Sequence, residues 1–241
     1  RRSSFVAGCI CSGISLSSQE WGKSMKEELI KQIQEEKLIV IVRDVAREKL
    51  VPLGQALYKA GIHFLEVTYS ADHMISDHVT AEDIALLHNE FKGKMHIGAG
   101  TVTNEEQVGL TKSAGGEFII SPDTNPAVIK MTAQMDLVSI PGAYSPTEIQ
   151  AADRAGADFI KLFPTAGLSE EYIKAVKGPF PHLKLLGVGG INEKNIEQYQ
   201  NYGLCGFGIG SNLVDKKLIA DNAFAAITEK ARCYIKAVQK D

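Results

Sequence analysis

No run of this chain approaches the roughly 18 consecutive apolar residues that a membrane-spanning helix needs, so no such helix is expected. Long basic runs are also missing, and the net charge is only −3. The electrostatic footprint of a nucleic-acid binder is therefore absent, and any anion must be held by local groups. Cysteines number four. Cys9 and Cys11 lie in an unusual leader, and Cys205 and Cys233 stand far apart. This pattern suggests neither a disulfide framework nor a zinc ligand set, and it fits a reducing compartment, here taken as the cytoplasm. The first apolar run is not followed by the glycine fingerprint of a dinucleotide fold.

What the chain does have is a regular alternation. Hydrophobic residues make up 44% and charged residues 23% of 241 residues, which is globular usage. Residues 1–24 differ: they are rich in Ser, Gly and Cys and hold no acid before Glu20. Such a leader suits an organellar transit peptide or, more plainly, an extension ahead of a natural start at Met25. The fold is accordingly read from 25–241 as one domain, close to the roughly 250 residues of a (β/α)8 barrel.

An opening helix is predicted over 25–36. The strand candidates are 38–42, 63–68, 95–101, 118–122, 137–142, 159–164, 184–189 and 206–211, each short, mostly apolar and bounded by Gly, Pro or Ser. Between them lie amphipathic stretches. In 46–60, Leu50, Leu53, Ala56 and Leu57 repeat at three- and four-residue steps. Asn104, Ser169 and Asn192 each precede acids and read as helix N-caps. Ala60-Gly61, Gly115-Gly116 and Ala155-Gly156 read as helix ends. Eight βα units with no all-β block predict a parallel sheet, and the count and length favour a closed TIM barrel with an extra N-terminal helix over an open sheet.

Lys161 is the most informative residue. It sits in Phe159-Ile160-Lys161-Leu162-Phe163-Pro164, where alternation puts Phe159, Lys161 and Phe163 on one face. A lysine buried in a parallel strand is costly unless paired or neutral, and desolvation favours the neutral amine, a nucleophile toward carbonyls. The plain alternative is a lysine whose stem packs while its head reaches solvent. Glu66 stands likewise amid Phe64-Leu65-Glu66-Val67-Thr68. If both face inward, amine and carboxylate meet as a Schiff base and its proton shuttle require; a structural ion pair is the competing reading. Gly187-Val188-Gly189-Gly190 and Gly206-Phe207-Gly208-Ile209-Gly210-Ser211 follow the seventh and eighth strands, the recurrent phosphate site of such barrels. Thr101 offers a hydroxyl after the small residues Gly98-Ala99-Gly100, and Arg43 at the end of the first strand suits a carboxylate or phosphate.

Leu65-Glu66-Val67-Thr68, Gly98-Ala99-Gly100-Thr101-Val102, Ser121-Pro122, Ile140-Pro141-Gly142, Phe159 to Pro164, Lys177-Gly178-Pro179-Phe180 and Gly189-Gly190-Ile191 together resemble the 2-keto-3-deoxy-6-phosphogluconate (KDPG) / 4-hydroxy-2-oxoglutarate (KHG) aldolases, class I pyruvate aldolases. The resemblance runs from about residue 27 to the end. It implies Lys161 as the Schiff-base lysine and Glu66 as general acid/base. Thr101 and Pro122 would line the pyruvyl pocket beside Phe163, with Arg43 available to a carboxylate. Gly189, Gly190, Gly210 and Ser211 would take a phosphate. It further implies a homotrimer without metal or organic cofactor, acting on a small phosphorylated keto acid. This chain departs from the family pattern at Ser70, where many members carry arginine, and at Gly187-Val188, where proline and threonine are common.

The expected reaction is cleavage of a 2-keto-3-deoxy-6-phospho sugar acid to pyruvate and glyceraldehyde 3-phosphate, with cleavage of 4-hydroxy-2-oxoglutarate to pyruvate and glyoxylate as the alternative. Two readings of other classes compete. A metal-dependent sugar-phosphate enzyme would use Asp72, His73, Asp77 and His78 in a long loop over 71–80. A non-catalytic phosphosugar-binding barrel gives no reason for Lys161 opposite Glu66.

Overall fold

The computed structural model describes residues 25–72 and 74–239; the leader 1–24 and His73 lie outside the described residues. In chain order the elements are α1 (Met25–Glu36), β1 (Leu38–Val42), α2 (Arg47–Ala60), β2 (Phe64–Thr68), α3 (Asp77–Glu90), β3 (His96–Gly100) and α4 (Glu105–Ser113). Then come β4 (Phe118–Ile120), α5 (Pro126–Gln134), β5 (Val138–Ile140), β6 (Gly142–Ala143), α6 (Pro146–Ala155), β7 (Ile160–Leu162) and α7 (Glu170–Lys177). The last are β8 (Leu185–Val188), α8 (Ile196–Asn201), β9 (Gly206–Ile209), α9 (Lys216–Ala220) and α10 (Phe224–Val238).

All strand pairs are parallel, in the order β5-β4-β3-β2-β1-β9-β8-β7-β6. Strands β5 and β6 are two halves of one stave interrupted at Pro141. The lower half pairs with β4 and the upper half with β7, which closes the ring. Pro141 lacks an amide, but its carbonyl still accepts from Lys161 N at 2.9 Å. The nine strands thus make the eight staves of a (β/α)8 barrel.

Alternation along each strand divides the core into two layers. Val40, Val42, Leu65, Val67, Ile97, Ile160, Leu162 and Leu185 face outward and pack with the helices. Ile39, Phe64, Phe118, Ile120, Val138, Ile140, Phe159 and Leu186 fill the barrel interior, where α1 adds Leu29 and Ile33 as a plug across the bottom. Burying one such Leu or Ile side chain stabilises by about 1.5–3 kcal/mol. Since Phe64 and Phe159 point into the barrel, Glu66 and Lys161, each two residues further on, point inward as well.

Helix signals hold at several expected places. Asn104 Oδ1 accepts from Gln107 N and Ser169 Oγ from Tyr172 N, while Gly61 (φ 102°) and Gly156 (φ 99°) take the left-handed conformation past α2 and α6. Asn192 is a correction. Its side chain accepts from Lys194 N in a turn, and α8 begins only at Ile196. The long loop expected over 71–80 is also shorter, because Ser76 caps α3 and places Asp77 and His78 in its first turn.

Candidate active site

A cavity of about 570 Å3 opens at the C-terminal ends of the staves, bordered by all ten residues singled out from the sequence: Arg43, Glu66, Thr101, Pro122, Lys161, Phe163, Gly189, Gly190, Gly210 and Ser211. Lys161 and Glu66 form its floor. Their exposures, 6% and 2%, decide between the buried and the snorkelling lysine: the head does not escape to water. Burial holds the Lys161 ammonium below the ordinary lysine value of 10.5; Glu66 pulls upward and Arg43 adds to the depression. Burial likewise pushes the Glu66 carboxyl above 4.5, opposed by Lys161 and then by Arg43. Both groups are therefore biased toward their neutral forms, and each acts electrostatically on the other. Oε2 of Glu66 is buried without a hydrogen-bond partner among the described residues, a costly state that a substrate hydroxyl or a water would relieve.

The backbone around Glu66 leaves room for nothing larger than glycine. A Cβ on Gly100 would lie 1.6 Å from Glu66 Oε1, so the small residue ending β3 lets the carboxylate occupy the floor. The next residue, Thr101, has φ 56°, a left-handed conformation uncommon for a β-branched side chain and costing about 1–3 kcal/mol. There its hydroxyl accepts from Arg43 Nη2 at 2.9 Å, joining the ends of β1 and β3 across the mouth. On the opposite side the Phe163 ring centroid lies 4.7 Å from Lys161 Nζ. Phe163 itself lies past the end of β7 and remains 39% exposed, so it borders the mouth instead of filling the core.

The two glycine turns form the far wall. Gly189 and Gly190 have φ 88° and 80°, a pair of conformations that L side chains rarely adopt. The Gly189 carbonyl accepts from Ala166 N at 2.9 Å, and the Gly210 carbonyl from Leu213 N at 2.9 Å and Val214 N at 3.0 Å. In a trans peptide the N–H points opposite to the carbonyl, so these bonds aim the amides of Gly190 and Ser211 the other way. Both residues border the cavity, and the arrangement suits an anion.

Three contributors were not anticipated from the sequence. Asn212 Nδ2 donates to Ile191 O at 2.8 Å and ties the two glycine turns together. Buried Thr165 donates from Oγ1 to Leu162 O at 2.7 Å and accepts from Val188 N at 2.8 Å, linking the end of β7 to β8. Lys216 also lines the cavity. The polar Ser211-Asn212 pair after Gly210 was a readable signal for Asn212; nothing in the pattern marked the other two.

Of the residues considered as metal ligands, His73 lies outside the described residues, while both aspartates have other partners, although Asp77 Oδ1 is buried with none among the described residues. Asp72 accepts from Ser70 Oγ and Met74 N, and Asp77 Oδ2 accepts from Gln107 Nε2 at 3.1 Å. Among the described residues no three His, Cys, Asp or Glu side chains gather as a metal site. Nor is any helix among them long and apolar enough to cross a membrane.

Comparison with known proteins identifies the family. The family model described as KDPG and KHG aldolase matches residues 29–230. The 2-dehydro-3-deoxy-phosphogluconate aldolase of Haemophilus influenzae is 31% identical over 210 residues, covering 86% of this chain and 94% of that protein. A probable 2-dehydro-3-deoxy-6-phosphogalactonate aldolase of Rhizobium meliloti is 34% identical over 180 residues, covering 74% and 82%. Among solved structures, the KDPG aldolase of Legionella pneumophila, with pyruvate captured as a covalent carbinolamine intermediate, superposes with a TM-score of 0.74 at 32% identity, covering 83% of this chain and 94% of that one. This chain belongs to the KDPG and KHG aldolase family and is an aldolase, a carbon–carbon lyase.

Proposed function

We propose that this aldolase works through a Schiff base on Lys161 and cleaves a 2-keto-3-deoxy-6-phospho sugar acid to pyruvate and glyceraldehyde 3-phosphate. The observation that carries the reading is a buried lysine, biased toward its neutral amine, sharing a cavity floor with a carboxyl that has an unpartnered oxygen. The amine of Lys161 adds to the C2 keto group, and Glu66 shuttles the proton that lets water depart, leaving an iminium. Glu66 as carboxylate then takes the proton of the C4 hydroxyl. The C3–C4 bond breaks, its electron pair passes to the iminium nitrogen, and the aldehyde leaves. The resulting enamine is protonated at C3, and water hydrolyses the iminium to release pyruvate and restore Lys161.

In this reading Arg43 and Thr101 hold the substrate carboxylate, while Pro122 and Phe163 pack against the pyruvyl unit. Gly189, Gly190, Gly210 and Ser211 receive the phosphate. The fold domain is 25–241, the protein is cytoplasmic, and the assembly is a homotrimer, which sedimentation equilibrium tests. The names of the relatives favour a phosphorylated sugar acid, divided between the gluconate and galactonate forms. Val188, which lines the cavity and departs from the family pattern noted in the sequence, bears on that choice.

The deciding experiment is borohydride reduction in the presence of pyruvate, followed by peptide mass mapping. A pyruvate-derived increment on Lys161 is expected; its absence in folded protein with excess pyruvate sinks the mechanism. The kcat/KM values for the two phosphorylated epimers and for 4-hydroxy-2-oxoglutarate then assign the substrate.

A further inference from the structure

The cavity's charges are distributed unevenly, and the imbalance singles out one residue. The proposed substrate carries a carboxylate at one end and at the other a phosphate of about −1.5 to −2 at pH 7. Three cations border the cavity: Arg43, Lys161 and Lys216. Lys161 must be neutral to react, and Arg43 is bonded to Thr101 on the β1/β3 side of the mouth. Glu66 is the one carboxylate among the described residues lining the cavity. Without Lys216, the residues proposed to receive the phosphate, Gly189, Gly190, Gly210 and Ser211, offer it amides and a hydroxyl but no positive charge.

Lys216 begins α9, five residues after Ser211 on the segment that forms the far wall. Its ammonium lies 3.2 Å from Asp44 Oδ2, with the two side chains 69% and 57% exposed. An ion pair that open to water is weak, because both partners remain solvated and mobile. A phosphate dianion carries more charge than a carboxylate and offers more acceptor oxygens, so it competes well for the same ammonium. Asp44 is not among the cavity-lining residues, so it can hold the lysine at the rim without entering the substrate's path.

We propose that Lys216 is a specificity-determining residue: it rests on Asp44 and transfers to the distal phosphate when substrate binds. This rests on the phosphorylated substrate proposed above and adds the one cation that the phosphate end otherwise lacks. The test is selectivity, measured as kcat/KM for the phosphorylated 2-keto-3-deoxy sugar acid divided by kcat/KM for 4-hydroxy-2-oxoglutarate. K216M should lower that ratio about tenfold, chiefly through KM for the phosphorylated substrate, as loss of one charge-assisted contact would. K216R, which keeps the charge, should restore most of it. D44N, which removes the resting partner, should raise the ratio up to about threefold, the worth of an exposed pair.

An unchanged ratio in K216M, or an equal KM rise for both substrates, overturns the role of Lys216. If wild type traps pyruvate on Lys161 and prefers the phosphorylated substrate while K216M keeps that preference, this inference alone has failed. If wild type shows no preference for the phosphorylated substrate, the substrate assignment and this inference fall together. Circular dichroism establishes that the variants fold; should K216M not fold, a D44N ratio at or below that of wild type is the overturning result.

Discussion

The two ends of this barrel are built from the same strands and do opposite work. At the bottom, the interior is Ile39, Phe64, Phe118, Val138 and Phe159 above the α1 plug of Leu29 and Ile33. One repeat further along two of these strands, about 7 Å higher, Phe64 gives way to Glu66 and Phe159 to Lys161. The lower layer is apolar and satisfied. The upper one holds two buried ionisable groups, a left-handed Thr101 and two left-handed glycines. The buried ionisable groups and the left-handed Thr101 cost stability, and the layer below supplies the packing that tolerates them. Chemistry and stability are thus separated along the barrel axis, and substitutions at the two ends should fail in different ways.

The largest effect is expected at Lys161. K161M should drop turnover below detection while the protein still folds. Its pH-stability profile carries a second signature. The folded pKa of Lys161 is depressed, so between that value and about 10.4 the unfolded chain holds a proton that the folded chain lacks. Wild-type stability relative to K161M should therefore rise with pH through that window and level off above it. Thermal melts across pH check this; a flat difference would mean that Lys161 is not desolvated.

E66Q comes next. Loss of the proton shuttle should lower kcat by about 10²–10⁴-fold. Glu66 also raises the pKa of Lys161, so its removal should lower that pKa further. Borohydride trapping of pyruvate should then persist to lower pH than in wild type, even as turnover collapses. Equal loss of trapping and turnover would indicate a purely structural carboxylate. G100A is milder. The added methyl overlaps Glu66 Oε1 and must displace it, and a shift of about 1 Å in a reacting group costs on the order of 10²-fold in kcat. Wild-type kcat in a folded G100A variant would show that the position of Glu66 is not critical.

Much of this division was readable in advance, for a physical reason. A charge inside a short apolar strand has few places to go, so Lys161 and Glu66 declared themselves. The staves did too, as short, mostly apolar runs bounded by Gly, Pro or Ser. Strand ends were overestimated because the motif residues continue past the hydrogen-bonded ladder: Thr101, Pro122, Phe163 and Gly189 all lie just beyond their strands. Local polarity was also ambiguous. Asn192 precedes an acid and so reads as a cap, yet its side chain closes a turn on Lys194 N and α8 begins only at Ile196. Lys216 was invisible, since a lysine in a polar segment is ordinary until the fold brings it to the cavity wall.

At the bottom, I33A should lower stability by about 2–5 kcal/mol in denaturant melts. It should leave kcat near wild type at temperatures where the variant is folded. A large kcat loss there would mean that plug and mouth are coupled.

The smallest effect concerns a groove outside the plug, bordered by His63, His88, His96, Glu36 and Glu117. At about 930 Å3 it exceeds the mouth cavity in volume, so size alone would choose the wrong end. Its chemistry argues otherwise. His63 pairs with Glu36 at 2.9 Å and His96 with Glu117 at 2.8 Å, all four side chains between 28% and 37% exposed. These groups satisfy one another within reach of water, whereas Glu66 at the mouth has a buried oxygen with no partner among the described residues. H96Q should therefore change kcat/KM less than about twofold and stability by about 1 kcal/mol or less. A tenfold loss of kcat/KM with normal folding would break the separation of the two ends, because a solvated, internally paired cluster would then be acting on a reaction at the other end of the barrel.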